Sequence, residues 1–321
     1  MQQNQNIYYS KILLFGEYSV IFNSMGLSIP YSHFRGEFEF INNEKYTDLN
    51  FAQESNRLLR KFADHVRELV QNNELSVPFN HQAFMKDIER GLFFESTIPQ
   101  GFGLGSSGAL VAALYDRYAD PKIKNLKKIT KKNIFKLKEI FSTLESFFHG
   151  TSSGIDPLNS YFKAPLLIHS KEDIRVINLP EDKNLKEGAI FLLDSGSPRQ
   201  TGPLVNYFLE RTKADAAFLQ SIHEQFIPAT NACIMSMLKG DMTSFYQNLF
   251  LLSEYQYEFL KRMIPEPFQP LWENGLTSND YNLKLCGSGG GGFILGFTKD
   301  YLQAEDKFRS YGMEIIPVYK A

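Results

Sequence analysis

The segment of this sequence best suited to chemistry is a glycine-rich loop at residues 99–109, PQGFGLGSSGA. Its alternate glycines permit backbone conformations that a Cβ atom would forbid; they are Gly101, Gly103 and Gly105. Ser106 and Ser107 then open a segment rich in strong helix formers. Free backbone N–H groups, the positive end of a helix dipole and two hydroxyls can together hold an anion. The pattern therefore predicts a phosphate site, and a triphosphate suits it.

Two common nucleotide motifs do not describe this loop. It lacks the Gly-Lys-Ser/Thr ending of a Walker A loop, and only Asp116 or Asp120 loosely matches the acidic residue of a dinucleotide fingerprint. A tight turn with a serine N-cap is the structural alternative. A second loop at residues 286–292, CGSGGGG, favours binding, because its five glycines serve little purpose unless the backbone approaches something closely.

Helices and strands that would position these loops alternate along the chain. Strands are predicted at residues 11–20, 37–41, 93–98, 166–169, 175–179, 189–193, 293–297 and 313–319. Helices are predicted at residues 51–70, 109–119, 122–138 (as a pair), 140–148, 204–239 and 242–263. The fold class is α+β in two domains, residues 1–183 and 184–321, divided within a charged connector.

Composition and charge exclude several classes of protein. The 321 residues carry a net charge of −2, which argues against bulk electrostatic binding of nucleic acid. The lysines of residues 122–138 are interpreted as a solvated helix face. No apolar run is long enough to span a membrane. Two cysteines, Cys233 and Cys286, form no disulfide framework and favour a cytoplasmic protein.

Three segments together resemble the GHMP kinases, a family named for galactokinase, homoserine kinase, mevalonate kinase and phosphomevalonate kinase. Residues 11–18, KILLFGEY, resemble the first family motif, residues 99–109 the second, and residues 285–293 the third. They follow in family order, so the resemblance covers essentially the whole chain. It implies a two-lobed GHMP kinase fold, with a ribosomal S5 domain 2-like N-terminal domain and a ferredoxin-like C-terminal domain.

The mevalonate kinase branch of the family matches best. Residues 149–156, HGTSSGID, are similar to its HGxPSGxD segment, and residues 198–201, PRQT, resemble its PRxT stretch. Tyr18 replaces the histidine of the first motif, and this change slightly favours phosphomevalonate kinases, whose motif often reads GEY. Ser152 replaces the proline of HGxPSGxD. The acceptor stays open between mevalonate, phosphomevalonate and other alcohols, and a non-catalytic binding relative is the alternative class.

The resemblance implies a role for each matching residue. Asp156 would be the catalytic base and Lys11 would stabilise the transferring phosphoryl group, while Ser107 and Glu145 would bind Mg²⁺. ATP would be bound by Pro99, Gly101, Gly103, Leu104, Gly105, Ser106, Ser107, Gly108, Gly289, Gly290 and Gly291. Substrate would be bound by Glu17, Tyr18, His149, Ser153, Gly154, Arg199 and Thr201. The expected partner is mevalonate or a related hydroxy acid, with no nucleic acid and no membrane; a homodimer stays open.

Overall fold

The computed structural model describes residues 6–42, 48–123, 129–179, 188–198 and 201–320, with only the backbone of Thr201. The chain divides into two compact units. Unit 1 comprises Met1–Lys11, Pro30–Pro99 and Leu104–Ala164, and unit 2 comprises Ile12–Ile29, Gln100–Gly103 and Pro165–Ala321. The domain boundary predicted at residues 183/184 falls outside the described residues.

A five-stranded sheet includes the strand that carries Lys11. Its strands are β1 (Tyr8–Phe15), β2 (Gly26–Phe40), β3 (Leu92–Ser96), β4 (Leu166–Ser170) and β5 (Asp173–Val176). Their order is β1-β2-β4-β5, and β3 pairs antiparallel with the second half of β2. β2 is much longer than the strand predicted at residues 37–41. Its first four residues are all buried, so that half shows no period-two pattern.

Among the described residues of unit 1 are five helices: α1 (Leu49–Gln71), α2 (His81–Glu89), α3 (Ser106–Tyr118), α4 (Lys131–His149) and α5 (Ile155–Phe162). α1 confirms the predicted amphipathic helix, and Asp48 caps it by accepting from the Phe51 N–H. α4 is one continuous helix where separate helices were predicted, and Thr130 caps it. α5 was not predicted, because Asp156-Pro157 suggests a turn; proline is tolerated in the first turn of a helix.

Unit 2 contains an antiparallel sheet in the order β7-β8-β6-β9. Its strands are β6 (Ala189–Asp194), β7 (Tyr281–Leu285), β8 (Phe293–Thr298) and β9 (Ile315–Lys320). Its helices are α6 (Thr201–Ala214), α7 (Ala216–Ser221), α8 (Ile227–Lys239), α9 (Met242–Phe259), α10 (Gln269–Ser278) and α11 (Tyr301–Ser310). Every residue of β8 is buried, and a Cβ at Gly296 would clash with the Phe191 ring at 2.2 Å.

Helices and antiparallel sheets in both units confirm the α+β fold class. Within the described ranges, no helix is long and apolar enough to cross a membrane.

Candidate active site

The glycine-rich loop of residues 99–109 leads directly into α3. The φ angles of Gly101, Gly103 and Gly105 are +79°, +81° and +75°, which confirms the predicted backbone requirement. Gly105 is the N-cap of α3, so the serine cap that the structural alternative included is absent from this helix. No described side chain caps the first turn of α3. Its N–H groups can therefore serve an anion.

An ion pair between β1 and α5 lies beside this helix end. Nζ of Lys11 lies 3.1 Å from Oδ1 of Asp156, and the backbone N–H of Lys11 donates to the Leu104 carbonyl oxygen at 2.9 Å. The Lys11 side chain is 7% exposed, whereas that of Asp156 is 33% exposed. The lysine is thus held in place within the protein while the carboxylate is accessible to a ligand.

Close packing brings the first turns of α3 and α5 together. A Cβ on Gly108 would lie 2.8 Å from the carbonyl carbon of Asp156 and from the nitrogen of Pro157. A Cβ on Gly105 would lie 2.9 Å from Cγ of Lys11. Two glycines of the loop therefore allow Asp156 and Lys11 to approach the end of α3.

Ser107 joins α3 to α4. Its hydroxyl donates to Oε1 of Glu145 at 2.9 Å and lies 3.2 Å from Nε2 of His149. When Glu145 is ionised, it accepts the single hydroxyl hydrogen of Ser107, and His149 then acts as a donor to the serine oxygen. Ser107, Glu145 and His149 thus form one hydrogen-bonded group.

The buried carboxylate of Glu145 suits a divalent cation. Burial, followed by the nearby charge of Asp156, raises the pKa of Glu145 to about 7. A bound cation would oppose both effects, and carboxylate and hydroxyl oxygens are the ligands that Mg²⁺ prefers. No group of three or more His, Cys, Asp or Glu suited to a metal occurs in the described part of the chain. Glu145 and Ser107 are the residues of this site that would hold the ion.

Ser153 and Gly154, two of the predicted substrate residues, form the turn that starts α5. Gly154 is the N-cap in the left-handed conformation, and a Cβ there would lie 2.2 Å from the carbonyl oxygen of Lys138. The hydroxyl of Ser153 accepts from the Ile155 N–H at 3.3 Å. The turn thereby presents Asp156 in the first turn of the helix.

The second glycine-rich loop lies in unit 2 between β7 and β8, with φ positive at Gly287, Gly289, Gly290, Gly291 and Gly292. The Gly290 N–H donates to the carbonyl oxygen of Met263 at 2.7 Å. A Cβ on Gly289 would lie 2.3 Å from that same oxygen, and one on Gly290 would lie 2.4 Å from Cδ1 of Leu204. Packing within unit 2 therefore already requires these glycines, and their contact with ATP stays a prediction.

Glu17 and Tyr18 lie beside this loop, also in unit 2. The 1% exposed side chain of Glu17 accepts from Nζ of Lys284 at 2.7 Å. Burial raises the pKa of Glu17, and the charge of Lys284 opposes that shift. The Tyr18 hydroxyl donates to the carbonyl oxygen of Ser288 at 2.6 Å. Both side chains contact the loop, and their contact with substrate stays a prediction.

Two predicted substrate residues have no described side chain. Arg199 lies outside the described residues, and Thr201 begins α6 with only its backbone described.

Sequence reasoning missed two residues of these networks, Ser152 and Lys284. Ser152 donates its hydroxyl to Oε2 of Glu145. Its only signal was the departure from the proline of the motif. Lys284 can be noticed in the sequence as a single charge within an apolar strand. The sequence does not show that its partner is Glu17.

Part of the chain matches a protein-family model, and nearly all of it is similar in fold to solved structures. Residues 58–163 match the family model described as the GHMP kinases N terminal domain. Among solved structures, a Lin0012 protein from Listeria innocua is similar over 99% of this chain and 97% of its own, with 15% identity and a TM-score of 0.66. The L. major mevalonate kinase in complex with R-mevalonate covers 96% and 91%, with 16% identity and a TM-score of 0.61.

A third structure, the Streptococcus pneumoniae phosphomevalonate kinase with phosphomevalonate and AMPPNP, covers 99% of both chains at 13% identity and a TM-score of 0.61. No curated protein matches the chain. The residues that match the family model include Ser107, Glu145 and Asp156. The solved structures are similar in fold to this chain along nearly its whole length. Together they support placing the chain in the GHMP kinase superfamily.

Proposed function

We propose that this protein transfers the γ-phosphoryl group of ATP to a hydroxyl of a small molecule. The observation that carries the proposal is the cluster in unit 1, where the Lys11–Asp156 ion pair and the Ser107–Glu145 hydrogen bond lie at the first turns of α3 and α5. Phosphoryl transfer depends mainly on positioning and charge neutralisation. This cluster combines a proton acceptor, a cation and oxygen ligands for a metal.

Asp156 would act as the base. It would accept the proton of the substrate hydroxyl while that oxygen bonds to the γ-phosphorus and the bond from the γ-phosphorus to the bridging oxygen of ADP breaks. Lys11, held 3.1 Å away, would stabilise the negative charge on the phosphoryl oxygens. The N–H groups at the start of α3 would bind phosphate oxygens. The backbone of Leu104–Gly108, in the same unit, would complete these phosphate contacts.

Glu145 and Ser107 would hold Mg²⁺, which supplies charge neutralisation at the phosphate oxygens. His149 would keep the Ser107 hydrogen directed at Glu145 by donating to the serine oxygen at 3.2 Å. These contacts orient the metal ligands before the nucleotide arrives.

We propose mevalonate as the acceptor and 5-phosphomevalonate as the product. The HGTSSGID and PRQT segments support this choice, and so does the likeness to a mevalonate kinase that holds R-mevalonate. Phosphomevalonate is the alternative acceptor, because a phosphomevalonate kinase has the same TM-score of 0.61.

A coupled ADP-release assay with Mg·ATP tests the proposal on mevalonate, phosphomevalonate, homoserine and galactose. We expect turnover on mevalonate, reduced about 10²–10⁴-fold in Asp156→Ala because general base catalysis is lost. Turnover on another acceptor would keep the kinase and change its substrate. Absence of turnover on all four by a protein that still binds ATP would contradict the kinase and favour a non-catalytic relative.

A further inference from the structure

Ser152 connects the helix that carries Glu145 to the turn that carries Asp156. Its hydroxyl donates to Oε2 of Glu145 and accepts from the Gly154 N–H at 3.0 Å. Its carbonyl oxygen accepts from the hydroxyl of Ser142 at 2.5 Å. Both the carbonyl oxygen and the hydroxyl of Ser152 therefore bond to residues of α4. The hydroxyl oxygen also bonds to Gly154, the N-cap of α5.

The two oxygens of the Glu145 carboxylate have separate hydroxyl partners. Oε1 accepts from Ser107 at 2.9 Å, and Oε2 accepts from Ser152. The terminal torsion of a glutamate is broad and roughly two-fold, so a carboxylate with one bonded oxygen can still rotate. Hydrogen bonds on both oxygens fix its plane. Because Glu145 is only 3% exposed, water is a poor substitute for either serine.

We propose that Ser152 is a positioning residue, which fixes Glu145 so that Oε1 and the Ser107 hydroxyl together bind the divalent cation that accompanies the nucleotide. The inference rests on the proposed function and deepens its metal site. Hydrogen-bonded partners of this kind orient metal ligands and tune their affinity. The motif that this segment resembles has a proline at this position, and proline has no hydroxyl. The hydrogen bond from Ser152 to Glu145 is therefore not implied by the resemblance.

Binding of Mn²⁺ in the presence of ADP tests this role, with free Mn²⁺ measured by electron paramagnetic resonance. We expect Ser152→Ala to raise the Kd for Mn²⁺ about 10-fold or more, as removal of such partners typically does. Ser152→Thr, which keeps a hydroxyl, should stay closer to the wild-type value. Glu145→Gln provides the reference for loss of the ligand itself.

Ser146→Ala is the matched control. Ser146 follows Glu145 on α4, but its hydroxyl donates to the carbonyl oxygen of Thr143. We expect its Kd for Mn²⁺ to equal that of the wild type. Binding of ADP without metal should stay unchanged in Ser152→Ala, which separates a metal effect from a general loss of the site.

A wild-type Kd for Mn²⁺ in Ser152→Ala, alongside weakened binding in Glu145→Gln, would overturn the role of Ser152 and leave the kinase intact. Unchanged binding in Glu145→Gln would overturn the metal ligand and Ser152 together. Failure of the wild type to turn over any acceptor, with Mn²⁺ binding as expected, would reject the proposed function alone. If Ser152→Ala does not fold, Ser152→Cys offers only a weak donor and is judged by the same criteria.

Discussion

A methyl group added at Gly108 should move the proposed base, Asp156, by pressing on its backbone and its Cβ atom. Gly108 lies in the first turn of α3, and a Cβ there would lie 2.8 Å from the carbonyl carbon of Asp156 and the nitrogen of Pro157. Ordinary contacts begin at 3.4 Å, so the two helix ends must separate by about 0.6 Å. The Cβ of Asp156 would also lie only 2.9 Å away. Because rotation of a side chain moves neither its backbone nor its Cβ, no change of rotamer can relieve the clash.

We expect Gly108→Ala to lower kcat on the accepted substrate about 10–100-fold, since displacements of this scale at reacting groups have such costs. Overpacking should lower the free energy of unfolding by about 1–3 kcal/mol. The higher helix propensity of alanine offsets about 1 kcal/mol of that loss. The variant should therefore stay folded while losing activity.

Steady-state kinetics and urea unfolding of Gly108→Ala and Gly202→Ala together test this reasoning. Gly202 lies at the start of α6, and a Cβ there meets nothing within 4 Å. The control should keep the wild-type kcat and gain slightly in stability. A kcat of Gly108→Ala within twofold of the wild type would refute the claim that this contact positions Asp156.

Two further predictions concern buried charges. The folded-state pKa of Glu145, about 7, exceeds its usual 4.5, so the folded protein binds a proton that the unfolded chain releases. The free energy of unfolding should therefore fall by about 3 kcal/mol as pH rises from about 4.5 to 7 without metal. Urea titrations should show this slope in the wild type and not in Glu145→Gln; equal slopes would contradict it. Glu17→Gln or Lys284→Met alone should lower the free energy of unfolding by about 3–5 kcal/mol, because each leaves a buried charge unpaired. The double variant should lose less than the sum, whereas additive losses in that cycle would argue against a direct pair.

Strongly periodic or locally capped segments of the fold could be predicted from the sequence. α1 is an example, since its apolar residues recur at helical spacing and bury one face. β2 could be predicted only at residues 37–41, where charged and apolar residues alternate in the sequence, and α5 was obscured by the proline in its first turn. A periodic pattern shows which side of one helix or strand is buried. A helix or strand that lacks such a pattern can be identified only from its contacts with the rest of the fold.

Some residues of the candidate site could likewise be predicted from the sequence, and others could not. Lys11, Ser107, Glu145 and Asp156 could be proposed because they stand within or at fixed spacing from recognisable motifs, and the structure brings them together. The pairing of Glu17 with Lys284 could not, because their contact joins segments 267 residues apart. Such a pair depends on how distant segments pack against each other, which no local pattern specifies.

Single-turnover transfer of labelled phosphoryl from [γ-³²P]ATP to mevalonate tests the central claim most directly, with the wild type compared with Asp156→Asn and Lys11→Met. We predict labelled phosphomevalonate with the wild type, and a rate at least 100-fold lower in each variant although ATP remains bound. Transfer at the wild-type rate by Asp156→Asn would contradict the account, because the ion pair in unit 1 would then have no part in the chemistry.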